Sequence, residues 1–347
     1  MAKQTLAIKY RPTTWDEVCE QSSTKLILQQ QLQSGEIKNA YLFCGPSGCG
    51  KTTCARIFAN KINKGEGNPI ELDAASNNGV DDVREIIQQA KTKSINSEYK
   101  IFIIDECHAL SNSAWQAMLK IIEEPPVKSI FIFCTTDPQK IPKTILSRVQ
   151  RYDFQRISTE GISIRLTDIY DTEIGIPTDK QNEICESLEY IAKIADGGMR
   201  DAITLMDKCL AYSHDLTLEN VVKALGTTDY DTMFKLTDYL LQMYGEESTK
   251  LAVRLIEDMY NNGKDLKLFV KQYIQFLLDL LKWNIGCGWQ YLNLPQLPEY
   301  EQWLKDCDKS TFIDINDLLS IFVNLNSDIR WSQSVKYDIE AVILLQV

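Results

Sequence analysis

Residues 45–52 read GPSGCGKT and match the pattern G-x-x-x-x-G-K-[ST] at every position. The apolar run YLFC precedes this segment and the helical pattern TTCARIFANKIN follows it, a context that disfavours a chance match. Glycines let backbone N–H groups approach phosphate oxygens, and a helix beginning near Lys51 aims its positive end at the same anion. The sequence therefore predicts a strand–loop–helix unit that binds a nucleotide through Gly45, Pro46, Ser47, Gly48, Cys49, Gly50, Lys51, Thr52 and Thr53.

A second polar feature lies downstream, where the apolar run IFII ends in Asp105 and Glu106. Carboxylates at the C-terminal end of a parallel strand reach the crevice in which ligands bind. Lys51 is predicted to neutralise the β and γ phosphates of the nucleotide, with Thr52 and Asp105 holding Mg²⁺. Glu106 is predicted to polarise a water for attack on the γ phosphate. Taken alone, the acidic pair is as consistent with two solvated side chains, and the nearby phosphate loop favours the catalytic interpretation.

Short apolar runs alternate with helical patterns over residues 1–157, which predicts a doubly wound parallel α/β sheet. The helical pattern SAWQAMLKIIEE has Ser111 as its N-terminal cap and ends before Pro125 and Pro126. The strand signals fade afterwards, so 158–226 is predicted as a small helical domain and 227–347 as a third, all-α domain. The five predicted strands are YLFCG (41–45), PIELDA (69–74), KIFIIDE (100–106), SIFIFCTT (129–136) and RYDFQRI (151–157).

Composition excludes several classes of protein. The net charge of −11 argues against bulk attraction to nucleic acid, although it leaves room for local basic surfaces. The ten cysteines form no C-x-x-C pair and only two histidines are present, so buried free thiols are expected rather than metal ligands. The chain has neither an apolar run long enough for a bilayer nor an N-terminus that resembles a signal peptide, so we expect a cytoplasmic protein without a membrane partner.

Seven stretches, in order along the first two-thirds of the chain, together resemble the ATPase subunits of replicative clamp loaders. The resemblance is greatest to the gamma/tau subunits of bacterial DNA polymerase III, which are AAA+ ATPases. It implies an AAA+ P-loop domain with a five-stranded sheet (1–157), a helical lid (158–226) and a helical collar for oligomerisation (227–347). The collar resembles the family only in length and helical texture. The stretches are LAIKYRPTTWDEVCEQ (6–21), CGPSGCGKTT (44–53), ELDAASNNGVDDVREI (71–86), IFIIDECHAL (101–110), LKIIEEPP (119–126), TTDPQKIPKTILSRVQRYDF (135–154) and GGMRDAITLMD (197–207).

The resemblance also implies roles for residues beside the nucleotide. The segment Tyr10, Arg11 and Pro12 matches the adenine side of the family's site, although packing or a surface role remains an alternative for the first two. Thr135 and Thr136 match the sensor of the γ phosphate, and Thr136 is counted among the catalytic residues.

Two arginines match further elements of the family. Arg148 matches the arginine finger that reaches the nucleotide of a neighbouring subunit, which would make hydrolysis conditional on assembly. Arg200 matches the second sensor, which couples the lid to the nucleotide. For either residue a surface salt bridge is the alternative, and the motif context favours the functional role.

The sequence departs from the family in two places. The segment NKINKGEGNPIELD leaves no room for the four-cysteine zinc module of most bacterial members, so no structural zinc is expected. Val149 replaces the usual cysteine after the finger, while Arg148 itself is kept. The compact loop and the lack of a polymerase-tethering tail after residue 347 suggest a pared-down, virus-encoded version.

The resemblance implies an ATP-driven cycle in which subunits assemble, open a sliding clamp and bind primer–template DNA, and hydrolysis then releases the closed clamp on DNA. The implied partners are other loader subunits in a homo- or hetero-oligomer of five, the clamp, and DNA without sequence preference, at the replisome or in the host cytoplasm. A helix starting near Asn78 or Gly79 would offer N–H groups to DNA phosphates, with Asp81 and Asp82 as helix-dipole partners.

Two rival functions stay open. One is another AAA+ motor that remodels DNA by branch migration or recombination. The other is an ATP-gated scaffold that hydrolyses little, against which Glu106 and Arg148 weigh together because a pure binder can dispense with both.

Overall fold

The structure is a computed structural model that describes residues 4–94, 96–225, 230–241, 246–296, 298–307, 309–329, 332 and 334–345. It forms two compact units, Met1–Thr217 and Leu218–Val347. The predicted boundary at 226–227 lies outside the described residues, and the division into three domains stays a prediction.

The first unit is built on five parallel strands in the order β2-β3-β4-β1-β5, which confirms the predicted sheet. The sequence predicts a fifth strand that reaches residue 157, but the strand ends at Asp153, because the backbone of Gln155 bonds to the side chain of Gln21 instead of to a neighbouring strand. The strands are β1 (Ala40–Cys44), β2 (Ile70–Asp73), β3 (Lys100–Asp105), β4 (Ser129–Thr135) and β5 (Gln150–Asp153).

Both faces of the sheet are covered, as the nearly continuous apolar runs predict. On one face, Phe102 and Phe131 stack with ring centroids 5.2 Å apart. On the other face, Tyr41 meets Phe58 edge to face at 5.1 Å. Burial of each such ring stabilises the unit by about 1.5–3 kcal/mol.

Helices flank the sheet and continue after it. Ser111 caps α5 by accepting a hydrogen bond from the N–H of Ala114 at 3.2 Å, and Pro125 and Pro126 follow its end, both as predicted. The last three helices of the unit pack against one another. The helices are α1 (Leu6–Lys9), α2 (Ser22–Ser34), α3 (Lys51–Ile62), α4 (Val80–Ala90), α5 (Asn112–Glu123), α6 (Lys143–Leu146), α7 (Thr159–Glu173), α8 (Gln181–Ile194) and α9 (Met199–Tyr212).

The second unit contains helices and no strand among its described residues. Tyr273 is fully buried at its centre and meets Phe322 edge to face at 4.7 Å. The buried carboxylate of Asp279 accepts bonds from Lys282 at 2.8 Å and from the N–H of Asn293 at 2.7 Å, so its charge is compensated. The helices are α10 (Leu218–Leu225), α11 (Tyr230–Leu241), α12 (Glu246–Asn261), α13 (Leu266–Asn284), α14 (Pro298–Asp306), α15 (Lys309–Asp328) and α16 (Val335–Leu344).

The ten cysteines are free thiols, and six of them are buried. Burial raises the pKa of Cys44 to about 11 and that of Cys54 to about 12, which keeps both groups protonated and unreactive. Among the described residues, no helix combines the length and the apolar character that crossing a membrane requires.

Candidate nucleotide-binding site

The phosphate loop leaves β1 at the carboxyl edge of the sheet, where neighbouring strands fix its first residue. The N–H of Gly45 donates to the carbonyl of Thr135 at 3.2 Å, and Gly45 has φ +152°. A Cβ at this position would lie 2.5 Å from the carbonyl oxygen of Phe154, so only glycine fits. The loop is therefore anchored between β4 and the end of β5 before it turns into α3.

Lys51 is the first residue of α3 and is only 6% exposed. Its ammonium donates to the carbonyls of Gly45 at 2.8 Å and Pro46 at 2.7 Å, which holds the charge over the loop. The first N–H groups of a helix have no intrahelical acceptor, so the start of α3 adds donors and a positive dipole end at the same place. The arrangement is suited to bind an anion with several oxygens, such as a polyphosphate.

Thr52 and Asp105 meet across the loop. The Thr52 hydroxyl donates to Oδ2 of Asp105 at 2.8 Å. A hydroxyl and a carboxylate are hard oxygen ligands, and Mg²⁺ is commonly held by one or two carboxylates together with substrate phosphates. The described residues contain no cluster of three or more His, Cys, Asp or Glu side chains that could hold a metal by itself. The donor set thus fits a magnesium ion that arrives with a nucleotide.

Glu106 follows β3 in a left-handed conformation with φ +46°, which is uncommon outside glycine. Its Oε2 accepts a hydrogen bond from the Thr136 hydroxyl at 3.1 Å and lies 3.2 Å from Nδ1 of His108. The same ring nitrogen is 3.2 Å from the hydroxyl of the fully buried Thr135. The predicted general base and the predicted sensor pair are therefore connected, and His108 is an additional member that the sequence did not single out.

A cleft runs past the loop. Predicted residues that line it are Tyr10, Arg11, Pro12, Ser47, Gly48, Cys49, Gly50, Lys51, Thr52, Thr53, Asp105, Glu106 and Arg200. The predicted residues Gly45, Pro46, Thr135, Thr136 and Arg148 do not line it. Other residues that line the cleft could not be singled out from the sequence, because apolar and charged residues of the same kinds are common elsewhere in the chain. They are Ala7, Glu17, Val18, Cys19, Ile157, Arg165, Met199 and Ile203.

The cleft wall carries cations that the protein leaves unpaired. Among the described residues, the guanidinium groups of Arg11, Arg165 and Arg200 have no ion-pair partner. Burial lowers the pKa of Arg11, and the nearby charges of Arg56 and Arg200 lower it further. Unpaired cations in a half-buried cleft favour an anionic ligand.

The N-terminal segment is fixed to the end of α7 beside this cleft. The Tyr10 hydroxyl donates to Glu173 at 2.5 Å, and Lys9 forms an ion pair with the same carboxylate. Burial and the bond to Glu173 raise the pKa of Tyr10, so its hydroxyl stays protonated. The predicted adenine-side segment lines the cleft, with the hydroxyl of Tyr10 bound to Glu173, and its contact with a base stays a prediction.

The phosphate loop touches α9 through main chain. The N–H of Met199 donates to the carbonyl of Gly48 at 3.1 Å, and a Cβ on Gly48, which has φ +71°, would lie 2.9 Å from Cα of Gly198. Arg200 is the second residue of α9. The contact places this arginine at the cleft by fixing the start of its helix.

A strap formed by Glu20 and Gln21 holds the connection between the sheet and α7. Gln21 donates through Nε2 to the carbonyl of Gln155 at 2.7 Å and accepts from its N–H at 3.1 Å. The carboxylate of Glu20 accepts from the N–H of Ser158 at 3.1 Å and from its hydroxyl. The strap continues the segment that lines the cleft at Val18 and Cys19, so it joins the cleft wall to the start of α7.

Arg148 lies outside the cleft, just after α6. It forms an ion pair with Glu123 at 2.7 Å and donates to the carbonyl of Thr144 at 2.7 Å, with both charged side chains about 40% exposed. Arg148 thus forms a surface salt bridge within this chain, which is the alternative to a role as an arginine finger. The role of the arginine finger stays a prediction.

The start of α4 agrees with its prediction. The helix begins at Val80, and the N–H of Gly79 donates to Asp82 at 3.0 Å, while Asp81 pairs with Arg84 at 2.8 Å. Both acidic side chains therefore stabilise the first turn of their own helix.

The connection between α3 and β2 is short. Residues 63–69 contain no cysteine, and the amide of Asn63 instead binds the backbone of Tyr99 through two hydrogen bonds of 2.9 Å.

Comparison with known proteins gives consistent relatives. Residues 68–158 match the family model described as DNA polymerase III, delta subunit. The chain is 37% identical over 311 residues to DNA polymerase III subunit tau of Bacillus subtilis, covering 83% of this chain and 53% of that protein. It is 33% identical over 298 residues to the gamma/tau subunit of Mycobacterium tuberculosis strain H37Rv, covering 79% and 50%. The chain thus spans about half the length of these relatives.

Among solved structures, the RuvB Holliday junction branch migration motor of Thermotoga maritima superposes with a TM-score of 0.51 at 20% identity. The superposition covers 68% of this chain and 80% of that one. At this identity the likeness shows the fold alone.

Proposed function

The chain is a relative of the tau and gamma/tau subunits of DNA polymerase III and has the AAA+ fold, and we propose that it is the ATPase subunit of a sliding-clamp loader. The observation that carries the ATPase part is the meeting of the Thr52–Asp105 pair, Lys51 and Glu106 at one edge of the sheet. The clamp-loader part rests on the similarity in sequence.

Five residues of the cleft have a chemical role in this proposal. Lys51 and the N–H groups at the start of α3 bind the phosphates, and Thr52 with Asp105 holds the magnesium ion. Magnesium, when bound, neutralises charge that builds up on the phosphate oxygens. Glu106 accepts a proton from the attacking water. Arg200 binds the nucleotide and thereby couples it to α9.

Arg148 acts on the nucleotide of a neighbouring subunit. Because its ion pair with Glu123 is largely solvated, breaking that pair costs about 0–1 kcal/mol. An arginine finger supplied in trans is worth ~10³–10⁵ in rate, or roughly 4–7 kcal/mol, which exceeds that cost. Hydrolysis therefore becomes conditional on assembly with other loader subunits, in a homo- or hetero-oligomer that we take to be a pentamer.

The remaining partners follow from the same proposal. ATP binding drives opening of a sliding clamp and capture of primer–template DNA, and hydrolysis releases the closed clamp. Helix starts such as that of α4 contact DNA phosphates without reading the bases. This work takes place in the cytoplasm, at the replisome.

Of the two rivals, a branch-migration motor is not favoured by the RuvB likeness, which concerns the fold alone. A scaffold that hydrolyses little is disfavoured by the hydrogen-bonded placement of Glu106 at the cleft.

The test is the ATPase rate measured with and without primed DNA and a candidate clamp. Stimulation by both supports clamp loading. Branch migration without any clamp would support the motor, and binding without turnover in the assembled complex would support the scaffold. Mass measurements with and without ATP determine the number of subunits.

A further inference from the structure

The carboxylate of Glu106 is held asymmetrically. Two groups approach Oε2, namely the Thr136 hydroxyl at 3.1 Å and His108 Nδ1 at 3.2 Å, whereas Oε1 has no hydrogen-bond partner among the described residues. The side chain of Glu106 is 35% exposed and faces the cleft. One oxygen is thus fixed by the protein and the other is open to water.

The two contacts on Oε2 differ in kind. A carboxylate oxygen accepts, so the Thr136 hydroxyl donates its proton to Oε2. Nδ1 of His108 lies within ion-pair distance of the same oxygen, and its hydrogen bond runs to the Thr135 hydroxyl. The two groups come from different elements, because His108 lies on the turn after β3 and Thr136 follows β4. A hydroxyl and a ring nitrogen against one oxygen restrict the plane of the carboxylate more than the Thr136 bond alone would.

We propose that His108 is a positioning residue for Glu106. Together with Thr136 it holds Oε2 so that Oε1 faces the attacking water. This inference rests on the proposed ATP hydrolysis, since it assigns a task within that reaction. His108 itself does not line the cleft, so its removal should change the rate of hydrolysis and leave nucleotide affinity intact.

A merely structural role is the competing explanation, because Nδ1 also lies 3.2 Å from the buried Thr135 hydroxyl. The two explanations differ in what a conservative substitution does. The side-chain amide of asparagine can place an N–H near the position of Nδ1, so it can restore the contact with Oε2 of Glu106.

The experiment compares variants in the assembled, DNA-stimulated complex. His108→Ala is expected to lower kcat about tenfold, a fraction of the ~10²–10⁴ that a general base contributes, with KM and the affinity for an ATP analogue unchanged. His108→Asn is expected to recover most of the rate. The matched control is His214→Ala, which removes the other, exposed histidine and should have no effect.

A double-mutant comparison isolates the pathway through Glu106. In a Glu106→Gln background, which has lost the base, His108→Ala should cause no further loss. An unchanged kcat in His108→Ala, a His108→Asn variant as slow as His108→Ala, or an additional loss in the Glu106→Gln background would each overturn the positioning role. Full turnover by Glu106→Gln alone would instead overturn the proposed hydrolysis mechanism, and the two failures are thereby distinguished.

Discussion

The hydroxyl of Thr52 lies 2.8 Å from Oδ2 of Asp105, which joins the first turn of α3 to the carboxyl end of β3. The two residues come from separate motifs in the sequence and form one pair of oxygen ligands in the fold. Magnesium-dependent binding of a nucleotide should depend on both.

Thr52→Ala should weaken magnesium-dependent ATP binding by about ten- to a hundredfold, because it removes a proposed oxygen ligand of the ion, and a polar contact to a charged group is worth roughly 1.5–3 kcal/mol. Thr52→Ser keeps the hydroxyl and serves as the matched control. Fluorescent ATP titrations with magnesium and with EDTA measure the effect. Equal affinities of Thr52→Ala and Thr52→Ser in magnesium would contradict the assignment.

Lys51→Ala should abolish measurable ATP binding, since it removes the buried charge held over the loop. Lys61→Ala, an exposed lysine at the end of the same helix, controls for a general loss of charge. Calorimetric titration with ATP provides the comparison. Unchanged affinity in Lys51→Ala would count against the phosphate loop.

Arg148→Ala should spare ATP binding and lower turnover of the assembled complex by about 10³-fold or more. Glu123→Gln breaks the same ion pair but keeps the guanidinium group, so it should retain turnover. Mixing Arg148→Ala subunits with Glu106→Gln subunits should restore part of the rate, because each supplies what its neighbour lacks. A mixture as inactive as its components would argue against action in trans.

Gln21→Ala removes both hydrogen bonds of the strap to Gln155 and should lower the free energy of unfolding by about 1–3 kcal/mol. Gln30→Ala, at an exposed position on α2, is the control. Urea unfolding measures both variants. A Gln21→Ala variant as stable as Gln30→Ala would show that the strap contributes nothing.

Stability should fall at alkaline pH. Burial raises the pKa of Cys44 to about 11 and that of Cys54 to about 12, above the value of 9.0 for an unperturbed thiol. The folded state therefore keeps protons that the unfolded chain loses, so these thiols reduce the free energy of unfolding as pH rises from about 9 towards 12. Urea unfolding between pH 7 and 10.5 should show this slope, and Cys54→Ala should reduce it. A slope identical in the wild type and in Cys54→Ala would contradict the cause.

The sheet could be predicted because each strand can be recognised from its own local sequence. Apolar runs such as KIFIIDE and a glycine loop ahead of Lys51 fix strand and helix starts within a residue or two. The pairing of Thr52 with Asp105 followed from the edge at which parallel strands end.

Contacts between distant segments could not be predicted in the same way. The end of β5 depends on a hydrogen bond from Gln21 to Gln155, and nothing within residues 151–157 signals it. Likewise His108 meets Thr135 only because β3 and β4 are neighbours in the sheet, and an isolated histidine carries no pattern.

The meeting of Gly48 and Gly198 has a mechanical consequence. Because main chain touches main chain there, no flexible side chain can absorb a small displacement between them. A shift of the first turn of α9 must push directly on the loop that surrounds Lys51, and a rearrangement of that loop must push back. The spacing between Gly48 and Gly198 is set by backbone atoms rather than by a side chain that a substitution could change. A movement at the start of α9 is therefore transmitted to the phosphate loop.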